Sequence, residues 1–387
     1  MPFSWGNPVN WILSRRHLTA KIIDTTDRKR KKWVAVQTAN SGSQDFELKR
    51  PDIPADFSFL VLGDTGEGDS SQMVLVDRIL KEGEGTSFAV IAGDVIYPSG
   101  RSADYRAKFY IPYRHYPQDI YAAPGNHDWY DELVGFMVHF CGNLYHFNDT
   151  QREKTTVDPV KLEHLQTIRK NRYRQPNMYF YIDTSQVRIV SIDVGINGHI
   201  DDEQLQWLER VSAANKPKIL ISGKPVYADG KLDRNLTNVN DVLNKTGYLL
   251  AIGGDTHNFQ RYRFTFDQGG KSVVRYHIVN GGGGAYLSKT HDIPLASDMK
   301  FVPKLATEPD DFACFPSRDQ SRTFFSHNLL LEHAPAWAVD RDKSPYHKSF
   351  MKIFVLADKL RVQAFGVDEF GAAGLNRPPL FEWDISY

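Results

Sequence analysis

The chain has 387 residues, enough to bury a large core, and its 47 basic residues balance its 47 acidic ones. Because the net charge at pH 7 is zero, no overall field draws the protein to nucleic acid or to an anionic membrane, and we expect neither as a partner. No apolar run reaches the roughly 18 residues that a membrane-spanning helix needs. The composition therefore favours a soluble globular protein.

The cysteine content and the N-terminus give an expectation about the compartment. Two cysteines, Cys141 and Cys314, do not make a disulfide framework, although the sequence leaves a single pairing open. At the N-terminus the charged residues follow a short apolar stretch, whereas a signal peptide has the opposite order. We therefore expect a cytoplasmic protein.

Residues 1–50 are predicted to form a small β appendage, followed by a main domain at 51–387. His17–Ile23 and Trp33–Thr38 alternate as two strands do, and the sequence TTDRKRKK joins them. The basic run Arg28–Lys32 has two interpretations, a contact with the phosphates of a polymer or the solvated tip of a hairpin. We favour the hairpin tip.

Four apolar runs in the main domain end in the same way, at a glycine followed by a polar residue of the kind that binds metals. The first run is apolar almost throughout, as expected of a buried strand. Parallel strands keep ligands at their carboxyl ends, so we expect the four ends to converge. The runs are Phe57–Gly63 before Asp64, Phe88–Gly93 before Asp94, Ile120–Gly125 before Asn126, His127 and Asp128, and Leu249–Gly254 before Asp255, Thr256 and His257.

Most of the remaining main domain is predicted to consist of alternating helices and strands. Helical spacing predicts a helix over Ser70–Lys81 and another over Asp202–Ala213. The inward residues of the first helix are predicted to be Met73, Val76, Ile79 and Leu80. The predicted strands are Met178–Ile182, Val187–Asp193, Lys218–Ser222, Phe259–Phe266, Val273–Asn280, Ser349–Ala357 and Leu360–Gly366.

Three further segments are expected to lie near the site. Residues 130–176 and 287–346 lack periodicity and are interpreted as insertions, the first helical in part, that set the size of the pocket. Gly281–Gly284 follows a predicted strand directly, and four glycines let a backbone approach another group closely.

The residue types at the four strand ends point to a metal centre that cleaves phosphate esters. Asp64, Asp94, Asn126, Asp255 and His257 carry the donors that hard or borderline ions prefer. Two ions about 3.5–4 Å apart clamp the attacking and leaving oxygens of a phosphoryl group, and they lower the pKa of bound water. Asp94 is the predicted bridge between the ions.

His127 follows a predicted ligand directly, so it is the candidate that protonates the leaving oxygen or holds a phosphate oxygen. Asp128 is predicted to support the His127 side chain as a neighbouring carboxylate. His199 and His291 are weaker candidates for substrate contacts, because nothing in their sequence context distinguishes them from surface histidines.

The four motifs together resemble the calcineurin-like metallophosphoesterase superfamily, and their forms are similar to its purple acid phosphatase branch. The motifs are Gly63-Asp64-Thr65-Gly66, Gly93-Asp94-Val95-Ile96-Tyr97, Gly125-Asn126-His127-Asp128 and Gly254-Asp255-Thr256-His257-Asn258. The resemblance spans roughly residues 57–285. It implies an α/β fold, a four-layer α-β-β-α sandwich, with metals at the strand ends.

The resemblance also implies two metal sites, of which this sequence completes one. The first site takes Asp64, Asp94, Tyr97 and His257, which are all present. The second takes Asp94, Asn126 and two histidines. Where the family has those histidines, this chain has Gly223 and Asp255.

Three interpretations of this departure stay open. Asp255 binds an oxygen-preferring ion such as Mn or Mg, with water at the vacant position. Alternatively, Lys224 directs its ammonium group toward Asp255 and Asn126 and supplies the charge of the missing ion. In the third interpretation Lys224 is an exposed loop residue.

The expected function is metal-dependent hydrolysis of phosphate esters by a metal-bound hydroxide, on a small phosphorylated substrate, with monoesters favoured over diesters. One or two ions of Fe, Mn, Zn or Mg per chain are expected, and a ferric ion on Tyr97 would colour the protein. The alternatives are a phosphodiesterase of the same fold, or a metal-impoverished regulator that binds a phosphate ligand without turnover.

Overall fold

The computed structural model describes residues 24–146, 154–155, 158–268, 270–285, 309–316, 347–367 and 374–387. Its α-helices are α1 Thr26–Ser41, α2 Ser70–Gly83, α3 Asn126–Trp129, α4 Val134–His139, α5 Pro159–Ile168, α6 Asp202–Ser212 and α7 Thr237–Lys245. Its strands are β1 Phe57–Leu62, β2 Phe88–Ala92, β3 Asp119–Ala123, β4 Tyr145–His146, β5 Lys154–Thr155, β6 Phe180–Asp183, β7 Arg188–Ile192, β8 Lys218–Ser222, β9 Tyr227–Ala228, β10 Lys231–Leu232, β11 Tyr248–Gly253, β12 Phe259–Gln268, β13 Lys271–Asn280, β14 Asp311–Phe315, β15 Ser349–Val355, β16 Lys359–Gly366 and β17 Phe381–Ser386.

Two large sheets organise the described residues. The first has the order β17-β16-β15-β1-β2-β3, in which β1, β2 and β3 are parallel and β15 runs antiparallel to β1. The second has the order β14-β12-β13-β11-β8-β7-β6, with a parallel centre of β13, β11, β8 and β7. All residues of β1, β2, β3, β8 and β11 are buried, which explains why these strands are apolar without alternation.

The two sheets share one hydrophobic core and carry helices on their outer faces. β13 contacts β15 and β3 contacts β7, so the sheets face each other. Helix α2 packs on β1 and β15, while α6 packs on α7. This mixed α/β arrangement with two multistranded sheets agrees with the predicted α/β sandwich. None of the helices among these residues combines the length and apolar character needed to cross a bilayer.

Most predicted elements of the main domain are confirmed, with small corrections. Helix α2 has Leu75, Val76 and Ile79 buried, but Met73 is 44% exposed, so its predicted inward position was wrong. The predicted hairpin of Met178–Ile182 and Val187–Asp193 is the antiparallel pair β6 and β7. Strand β17 was missed, although Phe381–Ser386 alternates and buries Trp383 and Ile385.

The N-terminal β appendage is the main correction. Trp33–Thr38 belongs to helix α1 and is not a strand. The buried residues of α1 include Arg30, Trp33 and Gln37, which recur at helical spacing and face the main domain. The hairpin tip assigned to Arg28–Lys32 is therefore wrong as well. The second predicted strand, His17–Ile23, lies outside the described residues.

The two insertions are described only in part. In the first, helices α4 and α5 confirm that residues 130–176 are helical in part. In the second, residues 309–316 are described, and β14 extends the second sheet beside β12. Most of 287–346, including His291, lies outside the described residues. The domain boundary at residue 50 stays a prediction.

Candidate metal centre

Three predicted ligands occupy strained turns directly after buried strands. Asp64, Asp94 and Asp255 have φ angles of 55°, 43° and 64°, in the left-handed region that residues other than glycine adopt rarely. Aspartate tolerates this region better than most residues. Each turn lies at the carboxyl end of a parallel strand, so the turns bring three separate segments of the chain to one place.

The four ligands predicted for the first site lie together in the structure. Asp64, Asp94 and His257 each offer one donor atom, and these three atoms lie within 4.8 Å of one another. The Tyr97 hydroxyl lies 3.1 Å from Asp64 Oδ1, 2.9 Å from Asp94 Oδ2 and 3.0 Å from His257 Nε2. At most 4% of any of these residues is exposed. Two carboxylates, a phenol and an imidazole at this spacing fit a metal ion.

The electrostatics of the cluster also suit a cation. Burial raises the pKa of Asp64 well above its usual value, and the carboxylates of Asp94 and Asp255 raise it further. A cation between these carboxylates would relieve both the loss of solvation and the mutual repulsion.

Glycines bring neighbouring backbone against Asp64. A Cβ atom at Gly254 would lie 2.5 Å from Asp64 Oδ2, and one at Gly281 would lie 2.7 Å from the same atom. A Cβ at Gly283 would meet the Gly63 carbonyl oxygen at 2.2 Å. The expectation that Gly281–Gly284 approaches the site closely is therefore confirmed, and only glycine fits these positions.

His127 lies at the edge of the cluster in a fixed orientation. Its backbone N–H donates to Asp94 Oδ1 at 2.8 Å, and its Nδ1 lies 2.7 Å from the Pro98 carbonyl oxygen. Because a carbonyl only accepts hydrogen bonds, Nδ1 carries a proton and Nε2 is the atom that can gain or lose one. The imidazole packs beside Tyr97, with ring centroids 4.4 Å apart, and His127 is 4% exposed.

Asp128 does not support the His127 side chain, whose Nδ1 faces the Pro98 carbonyl, so that interpretation was wrong. Its carboxylate accepts hydrogen bonds from the backbone N–H groups of Val95, Ile96 and Gly125, at 3.1, 3.4 and 3.0 Å. It thereby ties the turn after Asp94 to the start of α3. Burial, together with the Asp94 carboxylate, raises the pKa of Asp128 to about 8. The signal for this role was its place as third residue of a helix, where acidic side chains reach back to the N-terminal backbone.

A cavity of about 200 Å³ adjoins the cluster on the side of the second predicted site. Asn126 and Asp255 line it, with Gly223, Lys224 and the loop 194–198. The Lys224 ammonium group pairs with Asp233 Oδ2 at 2.7 Å, and the Lys224 side chain is 29% exposed. Lys224 is therefore part of the cavity wall, and its ammonium group is directed toward Asp233 and not, as one interpretation of the sequence had it, toward Asp255 and Asn126.

The family model of the calcineurin-like phosphoesterases matches residues 57–259, more than half of the chain. The chain belongs to the calcineurin-like phosphoesterase family. The predicted resemblance is thus confirmed, and it supports phosphoester hydrolysis with a bound metal as the general function. A search of curated proteins found no match to this sequence.

Two solved structures show the same fold as this phosphoesterase at low sequence identity. A purple acid phosphatase from yellow lupin (Lupinus luteus) is 13% identical with a TM-score of 0.50, and the match covers 87% of this chain and 55% of the lupin chain. GAP50 of Plasmodium, described as the anchor in the inner membrane complex, is 10% identical with a TM-score of 0.50, and the match covers 86% and 89% of the two chains. This chain therefore spans about half the length of the lupin enzyme.

The phosphoesterase departs from two complete metal sites at Gly223, and the packing there leaves no room for a side chain. A Cβ atom at Gly223 would lie 2.2 Å from the Pro124 carbonyl oxygen and 2.9 Å from Gly125 Cα. An imidazole at position 223 would therefore require the backbone to move. Among the predicted second-site groups, Asn126 and Asp255 remain on the cavity wall.

His199 lies away from the cluster. Its Nε2 lies 3.1 Å from Asp27 Oδ1 on helix α1, and its backbone N–H donates to Val194. The described residues thus give no support to His199 as a substrate contact. The loop 194–198 and Asp233, which shape the cavity, carried no sequence signal because they join the site only through the fold.

Proposed function

We propose that this calcineurin-like phosphoesterase is a metal-dependent phosphatase that acts on small phosphate monoesters. One observation carries the proposal: the Asp64, Asp94 and His257 donors lie within 4.8 Å of one another. His127 stands beside them, with its backbone N–H bonded to Asp94. The cavity of about 200 Å³ opens next to this group and gives a phosphoryl group a place to bind.

Asp64, Asp94, Tyr97 and His257 would hold the first ion, which we propose to be Fe, Mn, Zn or Mg. Asn126 and Asp255 would face a second ion, if one binds. A bound metal would polarise the phosphoryl oxygens and lower the pKa of the water bound to it toward neutral pH. The carboxylates would keep the ion at the strand ends, where the cavity admits substrate.

His127 is proposed to supply the proton that the leaving oxygen needs. The hydrogen bond from Nδ1 to Pro98 fixes the ring and leaves Nε2 as the atom that transfers the proton. Lys224 is proposed to bind a non-bridging phosphate oxygen, since it lies on the wall of the same cavity as Asn126 and Asp255 and its ammonium group is held there by Asp233. Asp128 is proposed to position the Asp94 turn.

The dimensions of the cavity support a small substrate. At about 200 Å³ it is small for two large ester groups, which favours a monoester over a diester. No disulfide joins Cys141 and Cys314, the two cysteines of the sequence. A reducing, cytoplasmic compartment is the setting we propose for this activity.

The test compares p-nitrophenyl phosphate with its bis ester, in the presence of Mn²⁺. We expect turnover of the monoester, a loss of roughly 10²–10⁴-fold in His127→Ala, and loss of nearly all activity in Asp94→Ala. His164→Ala, at an exposed histidine of α5, is the matched control and should keep full activity. Unchanged turnover in Asp94→Ala would exclude hydrolysis at this centre.

A second candidate is a regulator that binds a phosphate ligand without turnover. The observation that favours it is the closed packing at Gly223, which leaves the second site without one of its ligands. Titration calorimetry with inorganic phosphate separates the two functions. Stoichiometric phosphate binding by the metal-loaded protein, without turnover of any ester in a panel of monoesters and diesters, would favour the regulator.

A further inference from the structure

A second, larger cavity lies at the amino end of strand β3 in the first sheet, whereas the metal centre lies at the carboxyl ends of the parallel strands. Its volume is about 480 Å³, and Asp119, the first residue of β3, lies on its wall. The metal-ligand turns follow the carboxyl ends of the parallel strands, whereas this cavity adjoins the amino end of β3. The length of a five-residue strand, about 16 Å, therefore separates the two places.

The wall of this cavity is strongly basic. It contains five cationic side chains and two carboxylates, Asp52 and Asp119. The cationic residues are Arg50, Arg114, Arg169, Lys170 and Arg172.

Both carboxylates on the wall are already engaged. Asp52 accepts two hydrogen bonds from the Arg50 guanidinium, each 2.9 Å long. Asp119 accepts hydrogen bonds from the backbone N–H of Arg172 at 2.6 Å, the backbone N–H of Tyr173 at 3.1 Å, and the Tyr121 hydroxyl at 2.9 Å. Because the two carboxylates are outnumbered by five cations, the cavity keeps an excess of positive charge.

Four of the five cations have no ion-pair partner among the described residues. Arg114, Lys170 and Arg172 are exposed at the rim, whereas Arg169 is 8% exposed and lies deep in the wall. In the part of the chain that the structure describes, no carboxylate lies within ion-pair distance of any of them.

Arg169 is the decisive member of this group. Its guanidinium donates to the carbonyl oxygen of Gln118 and to Asn171 Oδ1, but its buried Nε has no hydrogen-bond partner in the described structure. Burial lowers the pKa of Arg169 to about 10. A buried cation without a carboxylate partner is costly, and the charge of an anion in the cavity would offset that cost.

We propose that this cavity is an anion site that binds a small ligand carrying two or more phosphate groups. Five cations against two carboxylates leave an excess of three positive charges, which two phosphate groups of about −1.5 to −2 each compensate in full and a single one does not, and a diphosphate fits a cavity of this volume. Arginine binds phosphate oxygens through paired N–H groups, and Lys170 adds a point charge at the rim. The site is separate from the metal centre and does not depend on the proposed phosphatase activity.

The experiment is titration calorimetry of the full chain with methylenediphosphonate, a diphosphate analogue that is not hydrolysed. We expect saturable one-to-one binding that weakens by about tenfold or more in Lys170→Gln and in Arg114→Gln, because each removes a charged hydrogen bond to phosphate. Both residues are exposed, so neither change threatens folding.

Matched controls are Lys161→Gln, at an exposed lysine of α5, and Arg210→Gln, at an exposed arginine of α6. Their affinities should equal that of the wild type. The Asp94→Ala variant should also bind normally, which separates this site from chelation at the metal centre. The proposal is overturned if the wild type shows no saturable binding, if the controls weaken as much as the cavity variants, or if Asp94→Ala removes the binding.

Discussion

Arg30 and Asp193 form a buried ion pair that joins the N-terminal helix to the main domain. Arg30 Nε lies 2.7 Å from Asp193 Oδ2, and the two side chains are 1% and 0% exposed. Asp193 Oδ1 also accepts a hydrogen bond from Trp129 Nε1 at 2.8 Å. Since Trp129 ends the short helix that begins at Asn126, this pair links α1 to the segment that carries His127.

Removing one partner of this pair should destabilise the protein strongly. We expect Arg30→Met to lower the free energy of unfolding by about 3–5 kcal/mol, because Asp193 would stay buried without its cation. The double variant Arg30→Met/Asp193→Asn should lose less than the two single changes together. Urea denaturation measures both values. Lys31→Met is the control, since Lys31 pairs with Glu203 in an exposed position and should cost less than about 1 kcal/mol. Equal losses for Lys31→Met and Arg30→Met would contradict the account.

The same pair explains why the sequence predicted the wrong structure for the N-terminal segment. The alternation over Trp33–Thr38 and its two valines are typical of a strand. Contacts distant in sequence favour the helix instead: Arg30 meets Asp193, and Trp33 Nε1 donates to the Glu132 carbonyl at 3.1 Å. Periodicity reports local preference, so it cannot locate partners about 100 or more residues away.

The metal cluster was predictable because its ligands are marked by local sequence patterns. Each ligand follows a buried strand that ends at a glycine, and parallel strands bring their carboxyl ends to one edge. The sequence therefore predicted that Asp64, Asp94 and His257 would meet, and the fold brings them together. The hydrogen bonds of Asp128 and the pairing of Lys224 with Asp233 were not predictable, because they depend on side-chain directions within loops.

The packing at Gly223 predicts that restoring the family's histidine will not rebuild a second metal site. We expect Gly223→His to destabilise the protein by about 1–3 kcal/mol, because its Cβ would collide with the Pro124 carbonyl. Gly223→Ala should be destabilised as well, since the collision is at Cβ. Elemental analysis should find one tightly held ion in both the wild type and Gly223→His. A stable Gly223→His variant that gains a second ion would refute this prediction.

Metal binding should stabilise the native protein through the buried carboxylates. At a Mn²⁺ concentration about 100 times its Kd, we expect a gain of about 2.7 kcal/mol in the free energy of unfolding, seen as a higher Tm. Asp94→Ala should abolish the gain because it removes a central ligand. Asp77→Ala, at an exposed position of α2, should keep the full gain. Thermal unfolding with and without chelator measures the difference, and an equal gain in Asp94→Ala would place the ion elsewhere.

Lys224 should matter for substrate affinity more than for folding. We expect Lys224→Met to raise KM for p-nitrophenyl phosphate by roughly 10–100-fold, because a charged hydrogen bond to phosphate contributes about 1.5–3 kcal/mol. Asp233→Asn, which releases the lysine from its partner, should have a smaller effect on KM. Lys231→Met changes an exposed lysine on β10 and is the control. If Lys224→Met and Lys231→Met have the same KM, Lys224 does not contact the substrate.

The burial of His277 predicts that the free energy of unfolding falls in acid. It lies buried against Tyr227 and Phe264, and its Nδ1 has no hydrogen-bond partner among the described residues. Burial lowers the pKa of His277 from 6.5 to about 3, so the native state keeps the ring neutral while the unfolded chain takes up a proton below pH 6.5.

The stability that His277 contributes is therefore complete above pH 6.5 and is lost as the pH falls toward 3, with a slope of up to about 1.4 kcal/mol per pH unit. His277→Phe should make this part of the profile flatter, because phenylalanine does not titrate. Urea denaturation at several pH values below 6.5 measures the slope. His164→Phe is the control, since His164 is exposed on α5 and its replacement should leave the slope unchanged. A slope that is the same in the wild type and in His277→Phe would show that other groups cause the loss of stability in acid.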